Sequence, residues 1–184
     1  MIKCLYQIFG FFLLVVAFSL PARADENTNA SEKVFSEFAV ELPEGWSGDE
    51  RKDFLGKKSG EYMLVLGKLD ESQEKFLSQV SIYLLPNINN ENARDFAGKM
   101  AEAQGGASEI GQQGNFWVFT GEPRTQSVSG RATTMVTANK DKMLIIIYQD
   151  PENLGAENVI KSLKGVTEES ARLLGSKKSV ASPE

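Results

Sequence analysis

The segment from residue 107 to residue 148 constrains the fold more than any other part of the chain. Three stretches rich in turn-forming residues, at 113–115, 121–123 and 139–141, divide it into four pieces of strand length. The gaps between the pieces are too short for the crossover that parallel strands need, so the pieces must pair as antiparallel hairpins. The sequence therefore predicts a sheet that is mainly antiparallel.

Four further apolar stretches also have the length of strands. Those at 38–42 and 76–84 alternate apolar and polar residues, which is typical of edge strands or of strands with one buried face. Those at 62–66 and 143–148 are continuously apolar. A strand of that kind is covered on both faces, so we expect these two to lie centrally, with a layer on each side.

Two stretches space their apolar residues at i, i+3, i+4 and i+7, the pattern of an amphipathic helix. The first follows a cap at 89–90 and ends at the glycines 105–106, and the second follows the cap residue Asp150 and ends at Gly165. Because a glycine at 155 disfavours helix, a start at Asn153 or later is the alternative for the second. The apolar positions are Ala93, Phe96, Ala97 and Met100 in the first helix and Ala156, Val159, Ile160 and Leu163 in the second.

Runs of strands with few, separated helices indicate an α+β fold rather than an alternating parallel α/β fold. We expect a mainly antiparallel sheet sandwiched between helices, an α/β/α arrangement. At 184 residues the chain fits one domain, which we place at residues 34–166. The polar residues 25–33 predict a flexible leader, and residues 167–184 predict a short helix followed by a disordered tail.

The first 24 residues have the pattern of a secretory signal peptide. A lysine at position 3 precedes an apolar run at 8–20, and the small-x-small sequence at 22–24 is a cleavage site. The run is shorter than the roughly 20 residues that a membrane-spanning helix needs, and Cys4 precedes it, unlike the acylated cysteine of a lipoprotein. We therefore expect a secreted or periplasmic protein that starts at Asp25, with no stable membrane anchor after cleavage.

The composition excludes several classes of chemistry. The chain has no histidine and one cysteine, which excludes a Ser-His-Asp triad, a Cys-His pair and the usual zinc sites. It contains no phosphate-binding glycine loop, so we expect no nucleotide and no other cofactor. Cleavage removes Lys3 and Arg23 but no acidic residue, which makes the charge more negative than the −5 of the full chain. Nucleic acid and anionic lipid are therefore disfavoured, and a basic or neutral partner is favoured.

The order of the predicted elements resembles that of a known family. An extended segment at 38–46 ends in Leu-Pro-Glu-Gly-Trp and precedes a strand pair and a helix. An aromatic strand at 115–121, the buried strand at 143–148 and a closing helix at 159–163 follow. Over residues 34–166 the chain resembles the PsbP-like fold family, which includes the extrinsic photosystem II subunit, a nuclear Ran-binding protein and exported bacterial proteins of unknown function. The resemblance implies a non-catalytic binding or assembly module without a shared active site, so it assigns no functional residue.

The two tryptophans are candidates for a ligand pocket. Trp46 follows the end of a strand, where it could line a pocket, although an aromatic residue that closes the core is the commoner arrangement. Trp117 lies between Phe116 and Phe119, which indicates core on both sides of a central strand. We therefore interpret both as core residues and leave the ligand-binding residues unassigned.

The acidic residues offer the remaining chemistry. The runs at 49–53 and 70–75 lack the spacing and central glycine of a calcium loop, so we interpret them as solvated turns. Two acids facing each other across a groove could hydrolyse a glycan, but the sequence does not give their separation. The candidates for such a pair are Glu102, Glu109, Glu122 and Asp141.

Two hypotheses of function follow, with the identity of the partner and the oligomeric state left open. The favoured one is an exported, non-catalytic binding or accessory module that acts through protein or small-ligand contacts. The alternative is a carboxylate-based hydrolase that acts on envelope polymers. Under the favoured hypothesis we assign no catalytic, cofactor-binding or metal-binding residue.

Overall fold

A computed structural model describes residues 30–56, 59–123 and 128–175. Its strands are β1 (Ser31–Val34), β2 (Phe38–Leu42), β3 (Trp46–Lys52), β4 (Tyr62–Leu69), β5 (Phe76–Pro86), β6 (Gly111–Gln113), β7 (Phe116–Gly121), β8 (Ala132–Ala138), β9 (Lys142–Gln149) and β10 (Lys164–Gly165). Its helices are α1 (Ala93–Ala103), α2 (Ala156–Ser162) and α3 (Glu168–Leu174).

The strands form two antiparallel sheets. Seven of them make a large sheet in the order β3-β4-β5-β9-β8-β7-β6, and three make a small sheet in the order β1-β2-β10. Every pairing between named strands is antiparallel. The four pieces predicted between residues 107 and 148 are the strands β6 to β9, and they are neighbours in the large sheet.

The large sheet has a core on each face. On one face, Phe38 and Val40 of the small sheet pack with Leu64, Ile82 and Ile146 of the large sheet, and helices α2 and α3 add to this core. On the other face, α1 packs against β7 and β8. The small sheet therefore supplies much of the cover on the first face.

The expected α/β/α sandwich is wrong. About 45% of the described residues are in strands or bridges and 18% are in helices, and the helices have 11, 7 and 7 residues. A helix of seven residues is roughly 10 Å long, whereas seven strands spaced about 4.8 Å apart make a far wider surface. Helices this short do not form a layer over such a sheet, and on one face β2 takes that place with Phe38, Val40 and Leu42.

Strand β5 is not the edge or one-faced strand that its alternating pattern predicts. It lies between β4 and β9, and eight consecutive residues of it are buried. The polar positions that create the alternation are buried with hydrogen bonds: the Ser78 hydroxyl donates to the Gln149 carbonyl at 3.3 Å, and the Gln79 amide donates to the Ser81 hydroxyl at 2.8 Å. Polarity in β5 therefore marks internal hydrogen bonds rather than exposure.

Strand β9 lies where its continuous apolar run predicts. It is the fourth of the seven strands, and Leu144, Ile145 and Ile146 are at most 3% exposed. Both faces of this strand are covered, one by each core. The central position of β9 is thus confirmed.

The helices form where predicted: α1 begins later than expected, and α2 agrees with the alternative start at Asn153 or later, so Gly155 and not Asp150 is its cap. Helix α1 starts at Ala93 with Asn92 as its cap, because the Asn92 side chain accepts from the Asp95 amide at 2.9 Å. Helix α2 starts at Ala156, after a glycine with a φ of +110°. Helix α3 starts after Thr167, whose side chain and that of Ser170 form a capping box.

The terminal segments are described only in part. The predicted signal peptide at 1–24, the first part of the leader and the tail at 176–184 lie outside the described residues. The rest of the expected leader differs from prediction, because Ser31–Val34 forms β1 and pairs with β2. Among the described helices, none has the length and apolar character needed to cross a membrane.

Candidate functional site

A cleft of about 360 Å³ opens at the end of the large sheet where β3 ends and β9 begins. The β1–β2 turn and the start of α3 form its other wall, so the cleft lies between the two sheets. Its lining residues are Glu37, Lys52, Asp53, Gly60, Glu61, Tyr62, Leu84, Lys142, Thr167 and Glu169. The volume falls in the range of small-molecule sites.

Apolar groups of the large sheet form the base of the cleft. Tyr62 and Leu84 are opposite each other on β4 and β5, and both are buried. The ring of Tyr62 packs at a tilt against that of Phe38, with the ring centres 5.8 Å apart. The cleft thus rests on the first core, which fixes its base.

A hydrogen-bond network joins the two sheets beside the cleft. The Tyr62 hydroxyl donates to the Glu50 carboxylate at 3.0 Å, and the Ser36 amide and hydroxyl donate to the same carboxylate. Burial raises the pKa of Glu50, but the hydrogen bonds from Ser36 and Tyr62 outweigh it and hold this pKa below its ordinary value. Burial, with the neighbouring Glu50 carboxylate, raises the pKa of Tyr62, so its hydroxyl stays a donor.

Each acidic side chain of the cleft accepts a hydrogen bond from a neutral donor. The donors are the Thr167 hydroxyl to Glu37 at 2.7 Å, the Gly60 amide to Asp53 at 2.7 Å, the Ser59 hydroxyl to Glu61, and the Asn139 side-chain amide to Glu169. These bonds hold the four carboxylates in place without neutralising them.

The two lysines of the cleft make no ion pair with these carboxylates. Lys142 donates to the Gly60 carbonyl at 2.7 Å, and that glycine has a φ of +78°, a conformation that favours glycine. Lys52 makes no hydrogen bond or ion pair within 30–56, 59–123 and 128–175. The ion pairs among those residues lie elsewhere: Asp49 with Arg51, Glu91 with Lys99, Glu157 with Lys161, and Glu32 with Lys164.

The two tryptophans lie outside the cleft lining. Trp46 is 7% exposed in the first core, and its indole nitrogen donates to the Leu154 carbonyl at 3.1 Å, which confirms the core interpretation. Trp117 is half-buried at the margin of the second core, and the Arg94 guanidinium lies 5.3 Å from its ring centre. Because α1 contributes this arginine, Trp117 packs under a helix on one face rather than being enclosed on both.

Of the two acidic runs interpreted as solvated turns, the run at 70–75 is confirmed and the run at 49–53 is not. Residues 70–75 do form a turn, in which the Asp70 carboxylate accepts from the Ser72 hydroxyl and from the amides of Glu74 and Lys75. The run at 49–53 is not a turn, because its first four residues belong to β3. Its last residue, Asp53, follows that strand and lines the cleft.

The four acids considered for a hydrolytic pair lie on four different segments, and none of them lines the cleft. Glu102 is on α1, Glu109 precedes β6, Glu122 follows β7, and Asp141 is in the β8–β9 turn, and all are exposed. In the part of the chain that the structure describes, no three His, Cys, Asp or Glu residues are grouped to hold a metal ion.

The sequence reasoning missed most of the cleft. Lys52 and Asp53 were considered only as part of an acidic run, and Lys142 not at all. Antiparallel pairing places the end of β3 and the start of β9 at the same end of the sheet. The strand pattern of the sequence could therefore have predicted that Lys52 and Lys142 lie at that end. Glu37 and Glu169 come from another layer, and no local pattern brings them to the cleft.

Comparison with known proteins gave no match, either to a family model or to a curated protein.

Proposed function

We propose that this protein is an exported, non-catalytic binding module that holds a partner or a small ligand at the cleft between its two sheets. One observation carries the proposal: four carboxylates and Lys142, each held by a hydrogen bond to a neutral group, share an open cleft with Lys52 and make no ion pair with one another among the described residues. Groups that are already held in position bind with a smaller loss of conformational entropy than mobile ones. The signal peptide predicted at 1–24 supports the export, and the resemblance to PsbP-like proteins stays a prediction.

The alternative hydrolase has less support. A glycoside hydrolase needs a carboxylic acid with a raised pKa to protonate the leaving group. Among the described residues, the carboxyl groups with a shifted pKa are Glu50, Asp70 and Asp150, and all three shifts are downward. Each of these carboxylates accepts backbone hydrogen bonds and so has a structural role.

The charge of the cleft favours a basic or neutral partner, as the net charge of the sequence does. The chain is acidic, and of the described residues four acidic side chains and two lysines line the cleft. A basic or neutral partner is therefore electrostatically complementary, and its binding weakens as salt rises.

Affinity capture tests the proposal. The chain from residue 25 is used as bait in envelope extract at low and high salt, beside the cleft variant Lys52→Glu and the control Lys140→Glu. Lys140 is exposed in the β8–β9 turn and does not line the cleft. We expect the native chain and the Lys140→Glu control to recover a partner that the Lys52→Glu variant does not recover. Equal recovery by all three baits contradicts the cleft as the site. Hydrolysis of a cell-wall glycan that stops when one acid is replaced supports the enzyme instead.

A further inference from the structure

We propose that the cleft takes a zwitterionic ligand with surplus positive charge: a basic amino acid, or the carboxyl-terminal basic residue of a peptide. This inference rests on the proposed function, because it names the ligand class of the same cleft. The evidence is the placement of the charged groups and the hydrogen bonds that hold the four carboxylates and Lys142.

The four carboxylates and Lys142 of the cleft are each held by a hydrogen bond to a neutral group. Here the Thr167 hydroxyl and the Gly60 amide engage Glu37 and Asp53, and the Gly60 carbonyl engages Lys142. An ammonium group has three donors, so Lys142 keeps two for a ligand.

The two signs of charge come from different elements. Lys52 is the last residue of β3 and Lys142 is the first of β9, so both lysines belong to the large sheet. Glu37 lies in the turn before β2, and Glu169 lies in the first turn of α3. A ligand with a carboxylate at one end and ammonium groups elsewhere can meet both sets at once.

The balance of charge and the volume narrow the ligand class. Among the described residues of the lining, four acidic and two basic side chains leave an excess of two negative charges. A basic amino acid carries one carboxylate and two cations, so its net charge of +1 is opposite in sign to this excess. The volume of about 360 Å³ accommodates one such residue, and the buried Tyr62 and Leu84 provide an apolar base for its methylene groups.

Calorimetric titration with three related probes tests the ligand class. The protein spanning residues 25–184 contains every described residue and is titrated at low salt with L-lysine, cadaverine and 6-aminohexanoate. Cadaverine is lysine without its carboxylate, and 6-aminohexanoate is lysine without its α-ammonium. We expect L-lysine to bind and each of the other two to bind at least about tenfold more weakly, since each lacks one charge-assisted contact.

Three variants assign the contacts. We expect Lys52→Met to weaken L-lysine binding roughly tenfold and not to weaken cadaverine binding, because it removes a cation that attracts the carboxylate of L-lysine and repels the ammonium groups of cadaverine. We expect Glu169→Gln to weaken the binding of both L-lysine and cadaverine. Lys140→Met is the matched control outside the cleft, and thermal unfolding checks that each variant folds.

Several results would overturn the inference. Cadaverine binding as tightly as L-lysine would show that the carboxylate is not recognised, and equal affinities for Lys52→Met and Lys140→Met would place the site elsewhere. If no probe binds at millimolar concentration while capture still recovers a partner that depends on Lys52, the ligand class is wrong and the proposed function stands. If no probe binds and capture recovers no partner that depends on Lys52, both the ligand class and the proposed function are wrong.

Discussion

Ser36 donates twice to Glu50, from its hydroxyl at 2.7 Å and from its backbone amide at 2.9 Å. Ser36 lies in the β1–β2 turn of the small sheet, and Glu50 lies on β3, an edge strand of the large sheet. The next residue after Ser36 is Glu37, which lines the cleft. The Ser36–Glu50 contact therefore joins the two sheets and positions one wall of the cleft.

Replacing Glu50 by glutamine should loosen this connection. An amide has one acceptor oxygen and presents an NH₂ group where the carboxylate accepts bonds from Ser36 and Tyr62. We expect Glu50→Gln to lower the free energy of unfolding by about 1–3 kcal/mol, measured in urea. Glu44→Gln is the control, because Glu44 is exposed. Equal midpoints for the two variants would contradict a stabilising role of the Glu50 carboxylate.

Stability should fall in acid, partly through the same carboxylate. Hydrogen bonds hold the folded-state pKa of Glu50 below its ordinary value of 4.5, outweighing the opposite effect of burial. A group with a lowered pKa contributes stability above its unfolded-state pKa and loses it as the pH falls through the folded-state value. We expect urea midpoints to be level from pH 7 to about pH 5 and to fall below that. The urea midpoint of the Glu50→Gln variant should fall less in acid than that of the native protein. An equal fall in the two proteins would show that Glu50 does not contribute to the acid sensitivity.

The Asp150 carboxylate holds the loop that leads into α2. It accepts from the amides of Leu154 at 2.7 Å, Gly155 at 3.0 Å and Ala156 at 2.9 Å. We expect Asp150→Ala to lower the free energy of unfolding by about 1–3 kcal/mol, because three amides lose their acceptor. Asp150→Asn should cost less, since one oxygen remains. Glu152→Ala, at an exposed position nearby, should change the urea midpoint little, and an equally small effect of Asp150→Ala would show that the Asp150 carboxylate does not stabilise this loop.

The same substitution at two isoleucines tests the central position of β9. Ile146 is 1% exposed in the first core, whereas Ile88 is 89% exposed in the loop before α1. We expect Ile146→Asp to unfold the domain, because an unpaired buried charge costs several kcal/mol of a total of roughly 5–15. Ile88→Asp should leave the melting temperature nearly unchanged. Similar melting temperatures for the two variants would show that β9 is not central.

Local patterns predicted the hairpins and β9, because turn residues and a continuous apolar run act within a few neighbouring residues. The position of β5 was not predictable in this way, since Ser78 and Gln79 look exposed in sequence and are hydrogen-bonded in the interior. The predicted α/β/α sandwich was wrong because the alternating apolar pattern of β2 does not reveal that this strand packs across the face of the large sheet. The cleft depends on the same long-range packing, which brings Glu37 and Glu169 to the lysines of another layer.

Two tyrosines on neighbouring strands should respond oppositely to loss of their hydroxyl. Within the described residues, the buried Tyr83 hydroxyl has no hydrogen-bond partner. Burial raises its pKa, and the Ser81 hydroxyl, which does not meet hydrogen-bond geometry with it, lowers that pKa by less. The Tyr62 hydroxyl instead donates to Glu50. Leaving a buried hydroxyl unpaired costs about 1–3 kcal/mol, so Tyr83→Phe should raise the urea midpoint or leave it level, while Tyr62→Phe should lower it. Equal losses in the two variants would show that the Tyr83 hydroxyl has a partner in solution.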